Sequence, residues 1–191
     1  MKKVMLTLLA AVLLAAAAPA TRAQEQTSAS LTSEEAHKLL GRLSGNWLVS
    51  HYAWQPDRNA YYQSSGKATV SPAHQGSFLH EQTYVRQPDG SQKRQECFLG
   101  YSAAKERFEL IQADKRNGNT VLLVGQWHPE FHSITLTHPD GLKRGGPNNV
   151  EYVYVFLPEG MLLKLVRTLD EEGNYRIQSQ DYYAPQHTAS F

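Results

Sequence analysis

From residue 46 onward, apolar and aromatic side chains recur at every second position in ten short segments, about 46–54, 61–71, 77–86, 93–101, 107–113, 120–127, 131–137, 150–157, 161–169 and 175–183. A period of two is the signature of strands with one face buried. The breaks carry turn chemistry, as in Gln87-Pro88-Asp89-Gly90, Pro158-Glu159-Gly160 and Glu171-Glu172-Gly173-Asn174, and most are of hairpin length. No second helical pattern lies between them, which excludes βαβ units and a parallel sheet. Ten strands in an antiparallel meander must hide their edges. The expectation is an all-β chain, an antiparallel up-and-down β-barrel of about ten strands, with a two-sheet sandwich as the alternative.

One short helix precedes the strands. Thr32-Ser33-Glu34-Glu35 has the form of a capping box, and Ala36, Leu39, Leu40 and Leu43 make one apolar face. The helix is expected to end near Leu43 or Ser44, with Gly45 stopping it and Trp47 opening the first strand.

The first 23 residues read as a signal peptide. Lys2 and Lys3 precede an apolar run over 4–18, and Ala20 or Ala23 ends a small-x-small cleavage motif. The run is shorter than the ~20 residues that span a bilayer. Residues 24–30 are a polar linker, and 31–191 form a single domain. Removing Lys2, Lys3 and Arg22 with the leader takes the formal net charge from +1 to −2. A chain so weakly charged lacks the basic patch that nucleic-acid binding requires. The expected location is periplasmic or secreted, with no membrane attachment after cleavage. The single cysteine, Cys97, excludes an internal disulfide and reads as a buried, inert thiol.

Leu43-Ser44-Gly45-Asn46-Trp47 resembles the Leu-x-Gly-x-Trp entry of lipocalin-like (calycin-type) barrels, the group that includes fatty-acid-binding proteins. Phe98-Leu99-Gly100-Tyr101-Ser102-Ala103-Ala104-Lys105 resembles the Gly-Tyr-Asp-x-x-Lys hairpin of a bacterial secreted family, domain of unknown function 1579. Ser102 stands where that family usually has Asp. The resemblance covers about 31–183. It implies the barrel, and a small apolar or amphipathic molecule held inside it without catalysis. It also implies that Trp47 plugs the barrel base beneath an arginine from a late strand, Arg167 or Arg176.

If Trp47 points inward, alternation also sends Val49, His51 and Ala53 inward. On the later strands the polar-aromatic mixtures suit a pocket wall. The expected lining is His51 from the first strand, then Phe78, His80, Gln82 and Tyr84, then Tyr152, Tyr154 and Phe156, with Tyr175, Ile177 and Ser179 from the last. A bulge on any strand would reverse this phase. His128 and His132 are four apart but flank Pro129, so they lack the helix that would make them metal ligands, and no metal site is expected. Nucleophile and phosphate-loop motifs are absent from the sequence. No cofactor is expected, with haem on His51 or His80 the alternative. A barrel enzyme using His51, His80 or a paired Glu81 and Glu96 is the catalytic alternative, and an interaction module without a pocket is a third.

Overall fold

The computed structural model describes residues 31–113, 120–146 and 148–186. The leader, its cleavage motif and the linker lie outside the described residues. The helix starts as expected: the Thr32 hydroxyl accepts from the Glu35 backbone N–H at 3.3 Å, and the Glu35 carboxylate accepts from the Thr32 N–H at 2.9 Å. Two of the orphan donors at the helix start are thereby satisfied. Helix α1, Ser33–Gly41, ends earlier than the apolar pattern suggested. Its last turn tightens, with Leu43 N–H donating to Leu40 O and Ser44 N–H to Gly41 O. Gly45, at φ +140°, begins the first strand instead of capping the helix.

Ten strands follow: β1 Gly45–Gln55, β2 Ala60–Ala73, β3 Phe78–Arg86, β4 Gln92–Ser102, β5 Arg107–Ala113, β6 Thr120–His128, β7 Ser133–Thr137, β8 Val150–Phe156, β9 Leu162–Leu169 and β10 Tyr175–Pro185. Each pairs antiparallel with its neighbours in the chain, and β1 pairs with β10, so the sheet closes into a barrel. Closure removes the unpaired edges that a ten-strand meander would otherwise expose. Short 3-10 turns join several hairpins. Pro56–Arg58 and Pro129–Phe131 both end on a left-handed residue, Asn59 and His132, which reverses the chain in few residues.

Trp47 is buried and fixes the lower end. Its indole N–H donates to Leu43 O at 3.0 Å, and its ring meets Tyr183 edge-on at 6.1 Å. Leu39, Leu40 and Leu43 join it in one apolar cluster with Phe156 and Leu162, so α1 and Trp47 together close this end. The cation found here is Arg42, 5.2 Å above the Phe156 ring. The expected Arg167 and Arg176 lie elsewhere. Trp47 pairs with Pro185, whereas Ile177 pairs with Arg167, eight residues back along β10, roughly 26 Å at strand rise. Arg167 stacks on Tyr175 at 4.0 Å and pairs with Glu151, and Arg176 pairs with Asp170 at 3.0 Å. Both belong to the opposite end of the barrel.

Candidate functional site

The barrel interior carries a buried polar network. Glu81 of β3 is its centre. The carboxylate oxygen Oε1 accepts from Lys164 Nζ at 2.8 Å, the Tyr183 hydroxyl at 2.7 Å and the Thr83 hydroxyl at 3.0 Å. The other oxygen, Oε2, accepts from the Tyr154 hydroxyl at 3.1 Å and the Cys97 thiol at 3.4 Å. These residues come from β3, β4, β8, β9 and β10, so the network ties opposite walls together. All six are buried. Burial alone would raise the Glu81 carboxyl, but the Lys164 charge and the hydrogen bonds from Lys164, Tyr183 and Thr83 hold it down at about 2. The same burial pushes the Cys97 thiol up to about 12, aided by the Glu81 charge. Burial also raises the Tyr154 and Tyr183 phenols well above their ordinary value, helped by Cys97 and Glu81 for Tyr154 and by Glu81 for Tyr183, so both stay donors. Burial opposes the Lys164 ammonium, yet the surrounding Cys97, Glu81, Tyr154 and Tyr183 outweigh it and raise it. With every carboxylate lone pair engaged, this network fixes the core and presents little free valence to a ligand.

A second buried pair lies beside it. His51 of β1 and Asp181 of β10 are cross-strand partners, both buried, with His51 Nδ1 hydrogen-bonded to Asp181 Oδ1. That bond fixes the ring orientation and leaves Nε2 on the far side of the imidazole, with no partner among the described residues. On the other side of His51, its register partner on β2 is Ser64. The Ser64 Oγ is buried and without a hydrogen-bond partner. Native structures satisfy nearly all such groups, so an orphan hydroxyl on the register partner of His51 marks a place of interest.

His51 therefore faces inward, as the phase of Trp47 predicts, and Tyr154 and Phe156 are buried inside as expected. Tyr152 is part-buried against the core, with its hydroxyl accepting from Gln112 Nε2 at 3.1 Å. The β3 assignment is one residue out of phase. Leu79, Glu81, Thr83 and Val85 are the buried set, which puts Phe78, His80, Gln82 and Tyr84 on the outer face. There His80 stacks on its cross-strand partner Phe98 at 4.5 Å and bonds Glu96 at 2.5 Å. Gln82 also donates to Glu96, at 3.3 Å, and Arg94 lies over Tyr84. The physical reason is that the polar residues went inside: Glu81 and Thr83 serve the network, and the aromatic residues of β3 cover the outside. Glu81 pairs in register with Cys97, and Glu96 with Gln82, so the two acids face opposite sides of the sheet and make no acid pair.

Tyr175 is also outside, 48% exposed. A bulge between Ile177 and Ser179 reverses the phase of β10. Ser179, paired with Ala53, keeps its expected side, while Tyr175 and Ile177 share the outer face with Arg167. Reasoning from alternation missed Thr83, Lys164, Tyr183, Asp181 and Ser64, and matched Glu81 with Glu96 instead of with the interior network. The available signal was an isolated Lys164 between Leu163 and Leu165, and an isolated Asp181 beside Tyr182 and Tyr183. A charge framed by apolar residues on a strand is either on the outer face or paired within.

A family model described as Protein of unknown function (DUF1579) matches residues 32–174. The crystal structure of Rv2717c from M. tuberculosis is similar, with a TM-score of 0.55 at 19% sequence identity, over 80% of this chain and 98% of that chain. At that identity the likeness is one of fold. No curated protein matches the chain.

Proposed function

From the premise that the chain belongs to the DUF1579 family, we infer that it is an exported binding barrel for a small apolar or amphipathic molecule. The observation that carries the reading is that two register partners on the inner wall, His51 and Ser64, each keep a polar atom unspent, Nε2 and Oγ. A ligand with one hydrogen-bonding group would satisfy both while its apolar part meets the aliphatic and aromatic wall. Asp181 holds the imidazole in place for that contact, as an orienting carboxylate does for a ligating histidine. Neither nucleic acid nor a membrane is a partner in this reading.

Native mass spectrometry of the protein purified from its own source tests it. A co-purified small molecule is expected, and His51→Ala should weaken its retention by about 2- to 10-fold, the range of one hydrogen bond. A wild-type protein that carries no adduct and takes up no apolar probe overturns the reading.

A second reading, a barrel enzyme with His51 as its base, is favoured by one observation: an inward histidine bonded to a buried carboxylate is the geometry that general-base chemistry uses.

A further inference from the structure

We propose that Ser64 is a histidine-activated nucleophile, and that Ser64, His51 and Asp181 together take an acyl group from a small ester or thioester that enters the barrel. The proposal rests on the interior admitting a small molecule, and it names the chemistry that the second reading leaves open.

Ser64 pairs with His51 across β2 and β1, and His51 pairs with Asp181 across β1 and β10. Directly paired residues project from the same face of a sheet, with Cβ atoms about 4.5–5.5 Å apart. Three adjacent strands thus set a serine, an imidazole and a carboxylate side by side on one wall, in the order that proton relay requires. The face is the inner one, since His51 and Asp181 are 5% and 3% exposed and the Ser64 Oγ is buried.

His51 Nδ1 is hydrogen-bonded to Asp181 Oδ1, the arrangement in which a carboxylate orients an imidazole whose Nε2 serves as base. Nδ1 is the nitrogen engaged by β10, and the register neighbour of His51 on its other side is Ser64 of β2. The hydroxyl spends its proton on no other acceptor, and the orphaning of a buried Oγ has no structural benefit. Ser64 and His51 are not hydrogen-bonded to each other in this structure; the proposal requires that bond to form when the carbonyl is bound. Among the described residues no other group bonds either atom: Glu81 spends its lone pairs on its own donors, and Lys164 is bonded to Glu81.

The step balances without a further reagent. Ser64 Oγ forms a bond to the carbonyl carbon, and its proton passes to His51 Nε2. The bond from carbon to the leaving oxygen or sulfur breaks, and that atom leaves with the proton. Water then adds to the acyl carbon, giving a proton to Nε2, and the carbon–Oγ bond breaks to release the acid and restore the serine. His51 touches the reacting atoms; Asp181 is a positioning residue.

The test uses the full chain, a small alkyl fluorophosphonate and p-nitrophenyl acetate, with peptide mapping by mass spectrometry. One phosphonyl adduct on the peptide carrying Ser64 is expected, absent in Ser64→Ala. His51→Gln should slow acylation by at least about 100-fold, the low end for a positioned base, and abolish the rise of rate with pH. Asp181→Asn should lower the rate while circular dichroism and the melting temperature show a folded barrel, and it should change the pH profile, which a merely structural carboxylate would not. No wild-type adduct, an adduct on another residue, or labelling undiminished in folded His51→Gln overturns the proposal. A co-purified ligand without labelling overturns the nucleophile and leaves the carrier standing. Labelling in a protein that carries and takes up no apolar molecule overturns the carrier and leaves the nucleophile.

Discussion

Lys164 Nζ lies 2.8 Å from Glu81 Oε1, and both side chains are buried inside the barrel. The pair joins β9 to β3, strands that are not neighbours in the sheet. Its two members are worth more together than either is alone, because removing one leaves the other as a buried uncompensated charge. Lys164→Met and Glu81→Gln should each destabilise the fold by about 3–5 kcal/mol. The double variant should lose less than the two single losses combined, since neither charge then remains. A double-mutant cycle by urea unfolding measures the coupling; strict additivity would show that the two charges do not act as a unit.

Acid should loosen the same centre. The Glu81 carboxyl sits at about 2 in the fold against an ordinary 4.5, so the unfolded chain binds the proton first. The stabilisation, on the order of 3 kcal/mol, is complete above pH 4.5 and drains away as pH falls through about 2. Unfolding midpoints measured across that window should drop in the wild type and drop less in Glu81→Gln. Parallel curves would remove Glu81 from the account.

Cys97 should be silent toward thiol reagents in the folded protein. Its thiol is buried and pushed up to about 12 by that burial and by Glu81, so almost no thiolate forms at neutral pH. Iodoacetamide labelling is expected only in denaturant, at the rate of an ordinary cysteine. Rapid labelling of the native chain would contradict the buried placement.

At the helix-plugged end, truncating the plug should cost far more than uncapping the helix. Trp47→Ala removes the indole that bonds Leu43 O and packs on Tyr183, with an expected loss of about 3–5 kcal/mol. Thr32→Ala removes only the cap of α1, with a loss of about 1 kcal/mol. Thermal melts that reverse this order would argue that α1 is not held by Trp47.

Gly125 is a separate test of the β6–β7 contact. A Cβ there would fall 1.7 Å from Thr135 O, a backbone atom that cannot rotate away. Gly125→Ala should destabilise at the upper end of the about 1–3 kcal/mol of overpacking. A silent alanine, read by urea unfolding, would mean that these strands lie further apart.

The architecture was legible because strand number, turn chemistry and the Gly45-Asn46-Trp47 entry agree on one answer. His51 was legible too, since Trp47 sets the phase of β1 and no bulge interrupts the pairing from Trp47 to Ala53. The wall beyond it was not. Polarity usually tells the outer face of a strand from the inner, and here β3 inverts the rule, hiding Glu81 and Thr83 while Phe78 and Tyr84 face out. Lys164 breaks the rule in the same way on β9. On β10 the bulge near Gln178 shifts the phase, and nothing local in Arg176-Ile177-Gln178-Ser179 announces it. A buried ion pair becomes readable only when both partners are known to share an interior, and that is a fact of long-range pairing.

The barrel is sealed between its earliest and its latest strand. β1 leaves the ribosome first and β10 last, and 130 positions of chain separate His51 from Asp181. Throughout synthesis β1 waits with one side unmatched, and the imidazole has no carboxylate beside it. The hydroxyl–imidazole–carboxylate row therefore comes into being only with the docking of the final strand. Any chain cut short before β10 lacks the seam and this row of side chains together.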